Sequence, residues 1–133
     1  MVPQSLRIMF VIHFVADMVF AIPLFVAPQA FLALFGWTSV DPVVSRVVAA
    51  ALVGIGGESL WGRKADLASF RTMCRLKILW SATACLGFIL SLIQGAPWGT
   101  WIFLAIFVAF CATWTTFFFK LRAMPVPAPA PAS

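Results

Sequence analysis

Polar positions are so sparse along this chain that they act as punctuation. Cutting at the charged residues and the Pro/Gly-rich points leaves four apolar runs, about Leu6 to Ala27, Pro42 to Gly62, Met73 to Gln94 and Pro97 to Leu121. Each is long enough to span a bilayer as a helix, which takes roughly 20 largely apolar residues at about 1.5 Å rise each. The pattern predicts an all-α polytopic membrane protein, a bundle of four transmembrane helices filling residues 1–122 as a single domain. After the first run, PQAFLALFGW (Pro28 to Trp37) is too apolar for an exposed loop and too short to span. It predicts a short interfacial helix closed by Gly36. Asp41-Pro42 is a helix start signal, with a capping carboxylate ahead of a proline whose missing N–H costs nothing at the first helical position. Asp66 is placed to cap LASFRT, which runs into the third helix, and QGAPWG reads as a tight hairpin into the fourth. Residues 123–133, ending in PVPAPAPAS, predict a Pro/Ala-rich extended tail, because alternate prolines exclude both helix and ladder.

Composition strengthens this reading. The chain is 63% hydrophobic and 10% charged, where soluble domains carry roughly 25% charged residues. Four spans put the N-terminus, the loop between the second and third helices and the C-terminus on one side. That side collects Arg7, Arg63, Lys64, Arg71, Arg75, Lys77, Lys120 and Arg122, leaving Arg46 alone opposite. The positive-inside rule then predicts N- and C-termini in the cytoplasm and a multi-pass protein of the inner (plasma) membrane. The net charge of +5 is on this reading a topology signal and a contact for anionic headgroups at the basic loop, not a nucleic-acid footprint. Trp37, Trp98 and Trp101 are expected at one interface and Trp61 and Trp114 at the other, as an aromatic belt, with Arg63, Lys64, Arg71 and Arg75 as charged anchors. The first helix follows Arg7 as a signal peptide's apolar core would, but its run is too long and Pro28 follows the best cut, so an uncleaved helix is expected. Cys74, Cys85 and Cys111 have no CxxC spacing and suggest neither a disulfide framework nor zinc. Cys85 and Cys111 read as small apolar fillers, and Cys74, beside the basic loop, is a weak acylation candidate.

The candidate chemistry lies where charge is costly. Asp17 falls near the middle of the first helix, where an Asp costs roughly 2.5 to 3.5 kcal/mol on the insertion scale. His13 precedes it by four residues, on the same helical face. In the second helix Ala50, Gly54 and Glu58 recur at i, i+4 with Gly57 alongside, a small-residue stripe that predicts close helix packing and directs Glu58 inward. In the fourth, Ala105, Ala109, Ala112, Thr113 and Thr116 form a similar stripe. Counted from the basic boundary, His13, Glu58 and Lys77 lie roughly 6 to 10 Å deep at about 1.5 Å per residue. The expectation is a buried polar cluster of His13, Asp17, Glu58 and Lys77, with Ser81, Thr113 and Thr116 nearby. Three readings stay open: a proton or ligand site, a structural ion-pair network holding the bundle in register, or side chains that snorkel to the headgroups.

Other motifs fail on inspection. GIGGESLWGRK (Gly54 to Lys64) superficially follows a phosphate loop but lacks the Lys-Ser/Thr and a preceding strand. It also misses the last glycine of a hydrolase elbow and the third glycine of a dinucleotide fingerprint. A lone histidine argues against bis-histidine haem, and no metal-ligand cluster is visible, so no cofactor and no metal are expected.

The run from Phe35 to Phe110, with FG, DP, VSR, GIGGES, GR, FR, LKILWS and WIFLAIFVAF in order, resembles small bacterial four-helix membrane proteins of the DoxX-like kind. That resemblance implies a four-span fold and no definite activity. The plan also resembles the small multidrug-resistance transporters, which would make Asp17 the matching carboxylate. The residues around Asp17 depart from that family's pattern, and the charge bias departs from its dual insertion. The leading expectation is a non-catalytic accessory or scaffolding subunit packing against itself or other transmembrane subunits. The alternatives are a small proton-coupled transporter or channel using Asp17, and a lipid- or quinone-interacting enzyme.

Overall fold

The computed structural model describes residues 1–125. The extended tail expected over 123–133 therefore falls mostly outside the described residues. The rest is all-α: α1 (Gln4–Val26), α2 (Pro28–Ala33), α3 (Pro42–Trp61), a 3-10 turn (Gly62–Lys64), α4 (Leu67–Ile93) and α5 (Gly99–Arg122). Four of these helices, α1, α3 with its 3-10 turn, α4 and α5, are long and apolar enough to cross a membrane.

Local chemistry explains most boundaries. Ala27 ends α1 by donating its N–H to Pro23, and Pro28 opens α2 where no donor is needed. Gly36, at φ +95°, takes the left-handed conformation that closes the turn after α2. The Asp41 carboxylate accepts from the N–H groups of Val43 and Val44, and that of Asp66 from Ser69. The Ser69 bond holds the exposed Asp66 carboxyl below its ordinary pKa. Because Asp66 caps it, α4 starts at Leu67, ahead of the apolar run at Met73, and LASFRT is its first turns. Pro97 and Trp98 form a turn outside α5, whose backbone begins at Gly99.

The helices pair as α1 along α3 and α4 along α5, and the two pairs meet less closely, through long side chains. Arg7 donates to the Arg63 carbonyl, tying the start of α1 to the end of α3. Arg71 donates to the carbonyls of Leu121 and Met124, tying the start of α4 to the end of α5. The basic ends of both pairs are thus together, while Arg46 reaches the Phe25 carbonyl at the opposite end. Near the basic end the core is Leu6, Phe10, Phe70, Met73, Cys74, Trp114 and Leu121. Toward the other end it is Ala21, Leu24, Ala49 and Leu52.

Several packing expectations are corrected. The face of α3 turned into the protein is Ser45, Ala49, Leu52, Gly56 and Ser59. Ala50 and Gly54 are exposed, and a Cβ at Gly54 or Gly57 would meet nothing within 4 Å. At about 100° per residue, the Ala50/Gly54/Glu58 stripe and the Ser45/Ala49/Leu52/Gly56/Ser59 stripe point to nearly opposite sides of α3, so only one of them faces the protein. Ala105 and Ala109 on α5 are exposed as well. The close approaches are at Gly56 and at Gly99, where a Cβ would lie 2.3 Å from the Phe35 Cβ and 2.5 Å from its carbonyl oxygen. Trp114 is not an interfacial anchor: it is fully buried, stacked on Phe110 and edge-on to Phe10. Trp61, Trp98 and Trp101 are largely exposed, and Trp37 packs on Phe103. Arg71 is bound to carbonyls, whereas Arg75 is exposed. Cys74 is the buried cysteine, and Cys85 and Cys111 are half-exposed.

Gly99→Ala should lower stability in detergent by about 1–3 kcal/mol, since the obstructing atoms include backbone. Gly57→Ala should stay within about 0.5 kcal/mol. Equal thermal unfolding midpoints for the two variants would contradict this packing.

Candidate functional site

The bundle interior brings five polar side chains together from three helices. α1 contributes His13 and Asp17, α3 contributes Ser59, and α4 contributes Lys77 and Ser81; all five are buried. His13 and Asp17 lie one turn apart, with His13 Nδ1 3.1 Å from Asp17 Oδ2. Lys77 crosses from the other helix pair, its Nζ donating to Ser59 Oγ at 2.5 Å and lying 3.2 Å from His13 Nδ1. The Ser59 hydroxyl donates to the Ile55 carbonyl at 2.7 Å, so its oxygen is free to accept from Lys77. The Lys77 ammonium also lies 5.1 Å from the Phe10 ring centre and 5.2 Å from that of Trp114. Both are cation–π distances, and such contacts gain strength where water is excluded.

One atom organises the cluster. His13 Nδ1 is 3.1 Å from Asp17 Oδ2, 3.2 Å from Lys77 Nζ and 3.3 Å from Ser59 Oγ. A ring nitrogen carries either one hydrogen or one lone pair. It therefore donates to Asp17 or accepts from Lys77, but not both at once. Which neighbour it serves depends on whether that nitrogen carries the hydrogen. In the geometry observed, Asp17 Oδ2 is within ion-pair distance of His13 but not aligned with it as a hydrogen bond, and no other partner reaches it. Gly56 makes room for this carboxylate: a Cβ there would lie 2.8 Å from Asp17 Cβ and 2.9 Å from Oδ2.

Of the residues expected here, His13, Asp17 and Lys77 meet. Ser81 is beside them, but its hydroxyl donates to the Lys77 carbonyl at 2.7 Å. Glu58 is exposed, about 100° around α3 from Ser59, and makes no ion pair among the described residues. Thr113 and Thr116 turn their hydroxyls back to the carbonyls of Ala109 and Ala112 in α5, away from the cluster. Ser59, Gly56, Phe10 and Trp114 were not anticipated. The signal for the first two was the Ser45, Ala49, Leu52, Gly56, Ser59 spacing, a second apolar-to-small stripe that competes with the one chosen.

Ser59 and Lys77 have the spacing of a nucleophile and its base. Ser59 is fully buried, however, and five clefts among the described residues have neither Ser59, Lys77, His13 nor Asp17 in their walls. Among the described residues no three His, Cys, Asp or Glu converge as metal ligands. No family model matches the chain, and neither the curated proteins nor the solved structures compared with it give a match. The structure supports a small protein of four membrane-length helices, and no comparison supports the DoxX-like resemblance.

Lys77→Met should cost about 3–5 kcal/mol, because it removes the buried hydrogen bonds to Ser59 and His13 and the cation nearest the buried Asp17 carboxylate. Adding Asp17→Asn should recover about 1 kcal/mol or more of that loss through coupling. Strictly additive losses in denaturant titrations of the reconstituted protein would show that the two charges do not sense each other.

Proposed function

We propose that the protein is a small multi-pass subunit that packs laterally against copies of itself or another transmembrane partner and performs no chemistry of its own. The observation that carries this reading is the pair of small-residue stripes left facing outward. Gly54 and Gly57 on α3 have open space beside them, and Ala50, Ala105, Ala109 and Ala112 are exposed. In lipid there is no hydrophobic force between helices, so association rests on close packing, which small residues permit. The burial of Ser59 and Lys77 supports a non-catalytic role. The common basic end of the bundle supports cytoplasmic termini in the plasma membrane.

Large side chains on these stripes test the reading without touching the interior. Gly54→Leu with Gly57→Leu, or Ala105→Leu with Ala109→Leu, should abolish self-association or partner co-purification while helicity and unfolding midpoint persist. A wild-type chain that elutes from mild detergent as a lone monomer with nothing associated would overturn it.

A second reading is favoured by one atom. Asp17 Oδ2 is buried without a hydrogen bond in a residue only 7% exposed, and intramembrane ionisable groups default to functional hypotheses. On this reading the protein moves protons, alone or coupled to a solute, with Asp17 as the titrating carboxylate and His13 and Lys77 as the groups that exchange protons with it. Asp17→Asn should then abolish pH-gradient-driven proton uptake into liposomes. Uptake equal to wild type, or none in the wild type, removes this reading and leaves the cluster as a strut.

A further inference from the structure

We propose that the cleft between the first turns of α1 and the 3-10 turn after α3 binds the headgroup of an anionic phospholipid whose acyl chain lies down the outer face of α1. The cleft measures ≈ 430 Å³ and is lined by Arg7, Arg63, Lys64 and Gln4, with Ile8 and Val11 as its apolar floor. Three cationic side chains therefore converge on one space with no acidic residue among its walls.

The two arginines are held in place by backbone carbonyls and leave most of their donors unused. Arg7 Nη1 donates to the Arg63 carbonyl, and the Arg7 guanidinium lies 5.2 Å from the Phe70 ring centre. Arg63 Nη1 donates to the Leu60 carbonyl at 2.7 Å. A guanidinium has five N–H donors in a rigid fork suited to two phosphate oxygens, so each retains donors for an anion. Among the described residues neither arginine, nor Lys64, lies within ion-pair distance of a carboxylate. Asp66 borders a separate cleft that shares Arg7, and its carboxylate accepts from the Ser69 N–H. Glu58 is exposed on α3 without an ion pair.

The floor decides between a free anion and a lipid. Ile8 is 52% exposed and Val11 37%, and the stripe continues along α1 through Val15 at 52% and Val19 at 61%. These positions recur at three- and four-residue spacing, so they form one apolar track running from the cleft toward the middle of the helix. A ligand that fits both parts carries a phosphate at the level of Arg63 and a hydrocarbon chain below it. The other cations of this end do not form such a site. Arg71 is engaged with the Leu121 and Met124 carbonyls, and Arg75 and Arg122 are exposed on other helices.

The test is native mass spectrometry of the full chain, delipidated and then titrated with phosphatidylglycerol or phosphatidylcholine. Wild type should retain phosphatidylglycerol preferentially, and Lys64→Gln, a side chain with no hydrogen bond to lose, should weaken that binding about fivefold. Arg7→Gln with Arg63→Gln should remove the preference, with circular dichroism reporting whether the fold survives. Arg75→Gln makes the same change in net charge outside the cleft and should have little effect. A loss with Arg75→Gln equal to that with Lys64→Gln would mean diffuse attraction and overturn the site. Soluble glycerol phosphate that competes as well as the full lipid would overturn the acyl track and identify a free phosphate ligand instead. Equal retention of both lipids by wild type would overturn the proposal entirely.

Discussion

The ammonium of Lys77, enclosed between two helix pairs with only Ser59, His13 and two aromatic rings for company, is the constraint around which this structure is arranged. A charge in a low-dielectric interior survives only where it is paired and hydrogen-bonded. Satisfying it requires Ser59 to turn inward on α3, His13 to present Nδ1 from α1, and Phe10 and Trp114 to close over the ammonium. α1 packs along α3 and α4 along α5, and the polar cluster joins one pair to the other together with the core of Leu6, Phe10, Phe70, Met73, Cys74, Trp114 and Leu121 and the Gly99–Phe35 backbone contact.

The same arrangement concentrates sensitivity in one nitrogen. His13 Nδ1 has three polar neighbours and one valence position to offer them, so it serves only one of them at a time as donor or acceptor. The cluster as observed is a cross-link between the two pairs, and a response to protons is what the second proposed function would add to it.

The periphery complements this interior. Outside the core the chain presents small-residue stripes, exposed tryptophans near the helix ends and a basic end with few acids. Each suits a neighbour in or at the bilayer: a helix that approaches closely, the interface, or an anionic group.

The architecture was legible before any coordinates, because spanning length, charge punctuation and caps are local properties of the chain. Asp41 and Asp66 cap where expected, Gly36 closes the short helix, and Arg7, Arg63 and Arg71 share one end as an even number of crossings demands. The sequence also marked His13, Asp17 and Lys77, since an ionisable residue deep in an apolar run is conspicuous without coordinates. Which face each helix turned inward depended on contacts between helices. In α3, Ala50/Gly54 and Ala49/Leu52/Gly56 are both small enough to pack, and they lie on nearly opposite sides of the helix, a choice that no local rule makes. The choice came from Lys77, which needed Ser59, and from Asp17, which needed the space that Gly56 leaves. Once α3 was rotated to provide both, Glu58 faced outward. Trp114 moved from an expected belt position into the core for a related reason: the buried ammonium takes an aromatic face where water is absent.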